Sequence, residues 1–236
     1  MGFILDKMPD DVYERGTSTI QWIIRLYHES GKKEFAVREV AIVSPLRTAV
    51  GNFGGSLKDL SAAELGSTVI KAILDRTGLD PNAIDDVILG HGYASGEEPA
   101  IGRLCALKAG LPIEVPGYQL DRRCSSGLQS ILNAAMMVQT NNADVVLAGG
   151  TESMSRVEFY STQSRYGSRM GSVTLHDRLT RARATVSPEE QFGPISGMIE
   201  TAENLAKQYD ISREEQDAYA RAQPSAGGGC ARARKI

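Results

Sequence analysis

From Arg38 onward the chain alternates short apolar runs with longer stretches in which apolar residues recur every three to four positions. Val40-Ala41-Ile42-Val43, ended by Ser44-Pro45, reads as a buried strand. A loop follows at Gly51-Asn52-Phe53-Gly54-Gly55. Ser61-Ala62-Ala63-Glu64 has the S-x-x-E pattern of a capping box. It opens a helix with Ala62, Leu65, Val69, Ile70, Ile73 and Leu74 on one face and Gly78 as its stop. Asp86 to Gly90 is the second strand. Ile101, Leu104, Cys105 and Ala109 line a second helix closed by Gly110 and Pro112. Val115 to Leu120 makes a weaker third strand. Ser125 to Thr140 is a third helix whose stripe is Leu128, Ile131, Leu132, Ala135 and Met136, and Val145 to Gly150 is a fourth strand. This alternation predicts an α/β fold of βαβ units, with a mostly parallel sheet covered by helices. Right-handed crossovers then leave few topologies.

The regular pattern has limits. Residues 37–151 form the α/β domain, and 1–36 form an atypical extension without a long amphipathic period. Residues 152–196, rich in Arg, Ser, Gly and Thr, are too long for an ordinary connection. Helical signal returns from Met198 to Tyr209, and again after a second capping box, Ser212-Arg213-Glu214-Glu215. Residues 152–222 therefore read as an inserted loop region with two helices. Pro224 is expected to end the last of these, leaving 223–236 as an atypical tail without regular structure.

Composition narrows the function classes. The 236 residues carry 26 basic and 29 acidic side chains, a net charge of −3. An apolar share of 42 % excludes a chain too polar to build a core. A pI near 5.7 gives no general attraction to nucleic acid or to an anionic membrane. The apolar run Ile20–Leu26, broken by Gln21 and Arg25, is too short to span a bilayer. The 3 cysteines, Cys105, Cys124 and Cys230, form neither a disulfide framework nor a metal-binding spacing, which fits a reducing, cytosolic setting.

The candidate chemistry lies in Asp121-Arg122-Arg123-Cys124-Ser125-Ser126-Gly127. This order puts Cys124 between a strand end and a helix start. The free N–H groups and positive end of a helix favour a thiolate there. A thiolate is a strong nucleophile toward acyl carbonyls. Ser125 is the expected N-cap, and Gly127 leaves room for a substrate. The plain alternative is a buried cysteine acting as a small hydrophobe, as expected of Cys105 on the apolar helix stripe.

The segments DRRCSSGLQS (121–130) and DVVLAGGTESMS (144–155) together resemble the thiolase family. So do REVAIVSPLRTAVGNFGGSL (38–57) and MIETAENLAKQYDISREEQDAYA (198–220), in the same order. The similarity is greatest to acetyl-CoA acetyltransferases and 3-ketoacyl-CoA thiolases. It implies the N-terminal half of a five-layer αβαβα sandwich, with the second half absent. It also implies that Cys124 is the nucleophile that forms the acyl-enzyme. Gly149-Gly150-Thr151-Glu152-Ser153 corresponds to a strand end that lets elements pack closely beside the site. Met198 falls at a CoA-pocket position, although Ile199 replaces the usual neighbouring glycine. The resemblance further implies CoA thioesters as substrates and the chemistry of fatty acid metabolism. No metal, prosthetic group, nucleic acid or membrane is called for, and self-association to a dimer or tetramer is expected.

The chain departs from the family in one respect that bears on activity. The family's base is a histidine in a Gly-His-Pro block, and its proton-shuttling cysteine lies in a Cys-x-Gly block. Neither block occurs here. His28, His91 and His176 are expected at surface or loop positions, outside the base role. A truncated, impaired acyltransferase is therefore the leading expectation. A non-catalytic thiolase-fold fragment and a 3-ketoacyl synthase-like enzyme are the alternatives. A nucleotide-binding Rossmann domain is excluded because no G-x-G-x-x-G follows the first strand. The Gly, Ala and Arg bias after Ala222 suggests a frameshift near codons 221–223. Lys32-Lys33-Glu34 ahead of Val37 suggests translation starting at Val37.

Overall fold

Val87-Ile88-Leu89 and Val145-Val146-Leu147-Ala148 are apolar at every position, as strands covered on both faces require. The computed structural model describes residues 21–25, 38–193 and 197–232; His28, Val37 and residues 233–236 lie outside them. The chain divides into two units, residues 1–158 and 159–236.

The first unit holds strands β1 (Gln21–Arg25), β2 (Ala41–Leu46), β3 (Asp86–Gly90), β4 (Gly117–Leu120) and β5 (Val145–Gly150). Its helices are α1 (Ala62–Thr77), α2 (Ile101–Ala109) and α3 (Ser126–Gln139). The strands form one sheet in the order β2-β1-β5-β3-β4. β3 runs parallel to both β4 and β5, with Val87 opposite Gly117 and Leu147. Both faces of the sheet are covered. Val87, Leu89, Val145 and Leu147 pack with Ile70, Ile73, Ile101 and Cys105 of α1 and α2. Ile88, Val146 and Ala148 pack with Ala134 and Val138 of α3. This alternation is the period of two expected of strands.

The start and stop signals of α1 read from the sequence hold. Ser61 Oγ accepts from the Glu64 N–H at 3.2 Å, and Glu64 Oε2 accepts from the Ser61 N–H at 2.7 Å. Gly78 ends α1 in the left-handed region at φ 61°.

Four local expectations need correction. First, β2 continues through Ser44-Pro45 to Leu46, with a bulge opposite Gln21–Ile23 and Ser44 at φ 52°. Proline is tolerated there because β2 is an edge strand. Second, the stretch 1–36, read as an atypical extension outside the α/β domain, supplies β1 to the interior of the sheet. Third, α3 buries Ser126, Ser130, Ala134 and Val138, whereas Leu128, Leu132 and Met136 are exposed. The small residues let the helix approach the sheet, so the larger stripe faces away.

The fourth correction concerns the tail. The second unit pairs β6 (Phe159–Tyr160) with β7 (His176–Asp177) and carries α4 (Arg178–Ala184), α5 (Glu189–Phe192), α6 (Met198–Gln208) and α7 (Arg213–Arg232). The backbone of α7 runs past Pro224 to Arg232, so Pro224 does not end the helix and the tail is helical up to that point. Proline's own φ is helical, so inside a helix it removes one hydrogen bond without forbidding the conformation. Among the described residues, no helix is long and apolar enough to cross a membrane.

Candidate active site

The C-terminal ends of parallel strands are where α/β sheets place their sites. Here β3, β5 and the start of α3 meet with little space between them. A methyl group on Gly90 would lie 2.4 Å from the Ser126 carbonyl carbon and 2.6 Å from the Gly127 nitrogen. One on Gly150 would lie 3.0 Å from the Gly90 oxygen. The glycines at these two strand tips thus let the first turn of α3 sit directly on the sheet.

Cys124 occupies the middle of a short 3-10 turn, Arg123–Ser125, between β4 and α3. Its thiol is free and exposed. Polar contacts fix the turn from several sides. The Arg123 N–H donates to Asp121 Oδ1 at 2.7 Å, and the Arg123 guanidinium lies 3.3 Å from Asp121 Oδ2. Arg123 Nη1 also donates to the Gly92 carbonyl at 2.8 Å. Ser126 Oγ donates to the Arg123 carbonyl at 2.6 Å and accepts from the Arg122 N–H at 2.9 Å. These contacts hold Arg123 at φ 49°, a left-handed conformation uncommon outside glycine. Such a backbone marks a turn determined by its surroundings.

Ser125 holds the N-cap position as expected, but its side chain makes no capping bond, and Ser126 bonds the turn instead.

Behind this turn lies a pair that sequence reasoning missed. His91 is 2 % exposed, which corrects its expected surface position. Its Nε2 lies 2.9 Å from Glu152 Oε1. Glu152 Oε2 accepts the Gly92 and Tyr93 N–H groups at 2.8 and 3.1 Å. Glu152 thus ties the end of β5 to the loop that Arg123 also grips. The two partners are far apart in the sequence, so no local pattern announced them. Thr151 Oγ1 adds a bond to the Ala62 carbonyl at 2.7 Å.

The other named positions have different surroundings. Cys105 is buried in the core, and burial pushes its thiol up to about 12, so it is held neutral. His176 lies in β7, its ring tilted against Tyr160 at 5.8 Å. Met198 opens α6 in the second unit and is exposed. Among the described residues, no three His, Cys, Asp or Glu side chains gather to hold a metal ion. A cleft of about 310 Å³ in the first unit is lined by Leu46, Val50, Phe53, Leu65, Thr151 and Met154, among others. Cys124 does not line it.

Residues 40–228 match the family model described as thiolase, N-terminal domain. The acetyl-CoA acetyltransferase of Chromobacterium violaceum is 43 % identical over 181 residues, which cover 77 % of this chain and 45 % of that protein. A probable acetyl-CoA acyltransferase of Staphylococcus aureus is 41 % identical with the same coverage. The crystal structure of the Bacillus anthracis acetyl-CoA acetyltransferase matches with a TM-score of 0.66 at 33 % identity. That match covers 86 % of this chain and 45 % of the other. The chain therefore spans a little under half the length of these relatives.

Proposed function

This chain belongs to the thiolase family, whose N-terminal domain it carries, and from that premise we propose that Cys124 accepts an acyl group from a coenzyme A thioester. The Cys124 sulfur adds to the thioester carbonyl carbon. The adduct collapses, the bond from that carbon to the CoA sulfur breaks, and the acyl group remains on Cys124 as a new thioester. The thiol proton leaves with CoA. The observation that carries this reading is an exposed, free thiol on a fixed turn at the start of α3. The leading N–H groups of a helix have no partner within it, and such donors stabilise the oxyanion of the adduct.

The names of the relatives, acetyl-CoA acetyltransferase and acyltransferase, support acetyl-CoA and acyl-CoA as substrates. They favour a thiolase over a 3-ketoacyl synthase. The overall reaction is 3-ketoacyl-CoA thiolysis or its reverse, acetyl-CoA condensation. It calls on no metal or prosthetic group, and Met198 is the position proposed to meet CoA. A cytosolic dimer or tetramer belongs to the same reading.

A second reading rests on the sequence. It contains no Gly-His-Pro and no Cys-x-Gly block, and groups that act as a unit lose most of the rate when one is missing. The residues of this domain are thus proposed to supply the nucleophile, with turnover depending on the family's base and proton shuttle. Peptide mapping by mass spectrometry after incubation with acetyl-CoA tests this. One acetyl group on the Cys124 peptide, absent in Cys124→Ala, is expected. An unmodified Cys124 would leave only a non-catalytic thiolase-fold fragment.

A further inference from the structure

The end of β3 is pinned on both sides. The His91 N–H donates to the Leu120 carbonyl at 3.0 Å, and the Thr151 N–H donates to the Gly90 carbonyl at 3.1 Å. One neighbour thus leads into Cys124 and the other into Glu152. The His91 ring is 2 % exposed, and its Nε2 lies 2.9 Å from Glu152 Oε1. Among the described residues, neither that oxygen nor His91 Nδ1 has another partner. An ionised carboxylate only accepts, so the proton of a neutral ring belongs on Nε2, facing it.

Glu152 carries the contact onward. Its Oε2 accepts the Gly92 and Tyr93 N–H groups at 2.8 and 3.1 Å, and the Gly92 carbonyl accepts Arg123 Nη1 at 2.8 Å. Gly92 is wedged between the two side chains. A methyl group on it would lie 3.4 Å from Glu152 Oε2 and 3.9 Å from the Arg123 carbonyl oxygen. Arg123, at φ 49°, directly precedes Cys124. Both carboxylate oxygens are engaged, so Glu152 cannot rotate without releasing either His91 or the loop.

We propose that His91 and Glu152 are a positioning pair that, through Gly92 and Arg123, fixes the direction in which the turn presents the Cys124 thiol. This inference rests on the acyl-transfer reading for its consequence at the thiol, whereas the hold on the turn stands on geometry alone. The requirement is chemical, because three donors face one carboxylate. An amide at position 152 has the same shape but sets an NH2 against either the His91 ring N–H or the two backbone N–H groups. At position 91, a glutamine keeps a donor for Glu152 and a leucine does not.

The test uses the full chain as wild type, Glu152→Gln, His91→Leu and His91→Gln. Hydrogen exchange read by mass spectrometry measures the hold. In Glu152→Gln and His91→Leu, amides of 92–93 and 122–126 are expected to exchange about tenfold faster, with those of 69–73 in α1 unchanged. His91→Gln is expected to restore most of the protection. Acetyl transfer from acetyl-CoA to Cys124 is expected to fall about 10- to 100-fold in the first two variants, since a small misplacement is costly to a reaction that needs orientation. Alkylation of Cys124 by iodoacetamide needs only an accessible thiolate and is expected to stay within about threefold of wild type. Cys105 is expected to stay unlabelled, which shows that the core is intact. An equally protected turn in Glu152→Gln and His91→Leu, or His91→Gln as loose as His91→Leu, would overturn the proposal. So would a loosened turn that acylates at the wild-type rate. A wild-type Cys124 that takes no acetyl group would remove the acyl-transfer reading, and the exchange result would then decide the hold by itself.

Discussion

Replacing Gly90 with alanine would drive a methyl group into the first turn of α3. The new Cβ would lie 2.4 Å from the Ser126 carbonyl carbon, 2.6 Å from the Gly127 nitrogen and 2.7 Å from Ser126 Cβ. Carbon atoms in good contact sit about 3.5–4.0 Å apart, so the overlap exceeds 1 Å. Two of the three opposing atoms are backbone, so no side chain can rotate away. Gly90 does not take a left-handed conformation, so the substitution adds crowding without dihedral strain. Overpacking of this kind costs about 1–3 kcal/mol, and rigid opposing atoms put Gly90→Ala near the upper end. In a chain of this size that lowers Tm by roughly 5–10 °C. The control is Gly127→Ala, whose Cβ would meet nothing within 4 Å. Alanine in a helix is favoured over glycine by about 0.5–1 kcal/mol, so this variant should unfold no earlier than wild type. Urea unfolding followed by far-UV circular dichroism measures both. A Gly90→Ala chain as stable as wild type, or a Gly127→Ala chain equally destabilised, would refute the close approach of strand tip and helix.

Other outcomes follow from the same structure. Asp86 is buried, and burial raises its pKa above the ordinary carboxylate value although Oδ1 accepts the Val87 N–H. A carboxyl raised on folding contributes its full stability below the unfolded pKa and loses it as pH climbs through the folded one. Asp86→Asn keeps the acceptor, so it should raise the urea midpoint at pH 7 and bring no gain below about pH 3.9. Iodoacetamide on the native chain should label Cys124 readily and Cys105 only after unfolding, because the latter thiol is buried and pushed up to about 12; quantified alkylated peptides will show it, and native labelling of Cys105 would count against the packing described. On α3, Ala134→Leu should destabilise by about 1–3 kcal/mol, since Ala134 is fully buried against the sheet. Leu132→Ala, at an exposed position, should stay within about 0.5 kcal/mol of wild type by urea unfolding. The reverse order would mean that the helix presents its other face to the sheet.

The parts of this fold that were readable in the sequence are those set by local chemistry. The capping box at Ser61 and Glu64, the stop at Gly78 and the doubly buried strands Val87–Leu89 and Val145–Ala148 depend on near neighbours. So does the position of Cys124 between β4 and α3. The rest depends on distant partners. The stripe Leu128, Leu132 and Met136 is correctly apolar, but periodicity does not say which face of a helix meets the sheet. Ser130 settles it here, because its hydroxyl reaches the Gly149 carbonyl at 2.6 Å. His91 looked like a loop residue because Glu152, its partner, lies on another strand end. Gln21–Arg25 carried too short an apolar run to identify as a strand.

The central claim is that Cys124 takes an acyl group from a coenzyme A thioester. Release of free CoA thiol from acetyl-CoA, followed in time against chain concentration, tests it. A burst of one CoA per chain, abolished in Cys124→Ala, is the predicted result. Absence of a burst, or an equal release in Cys124→Ala, would contradict the nucleophile assignment.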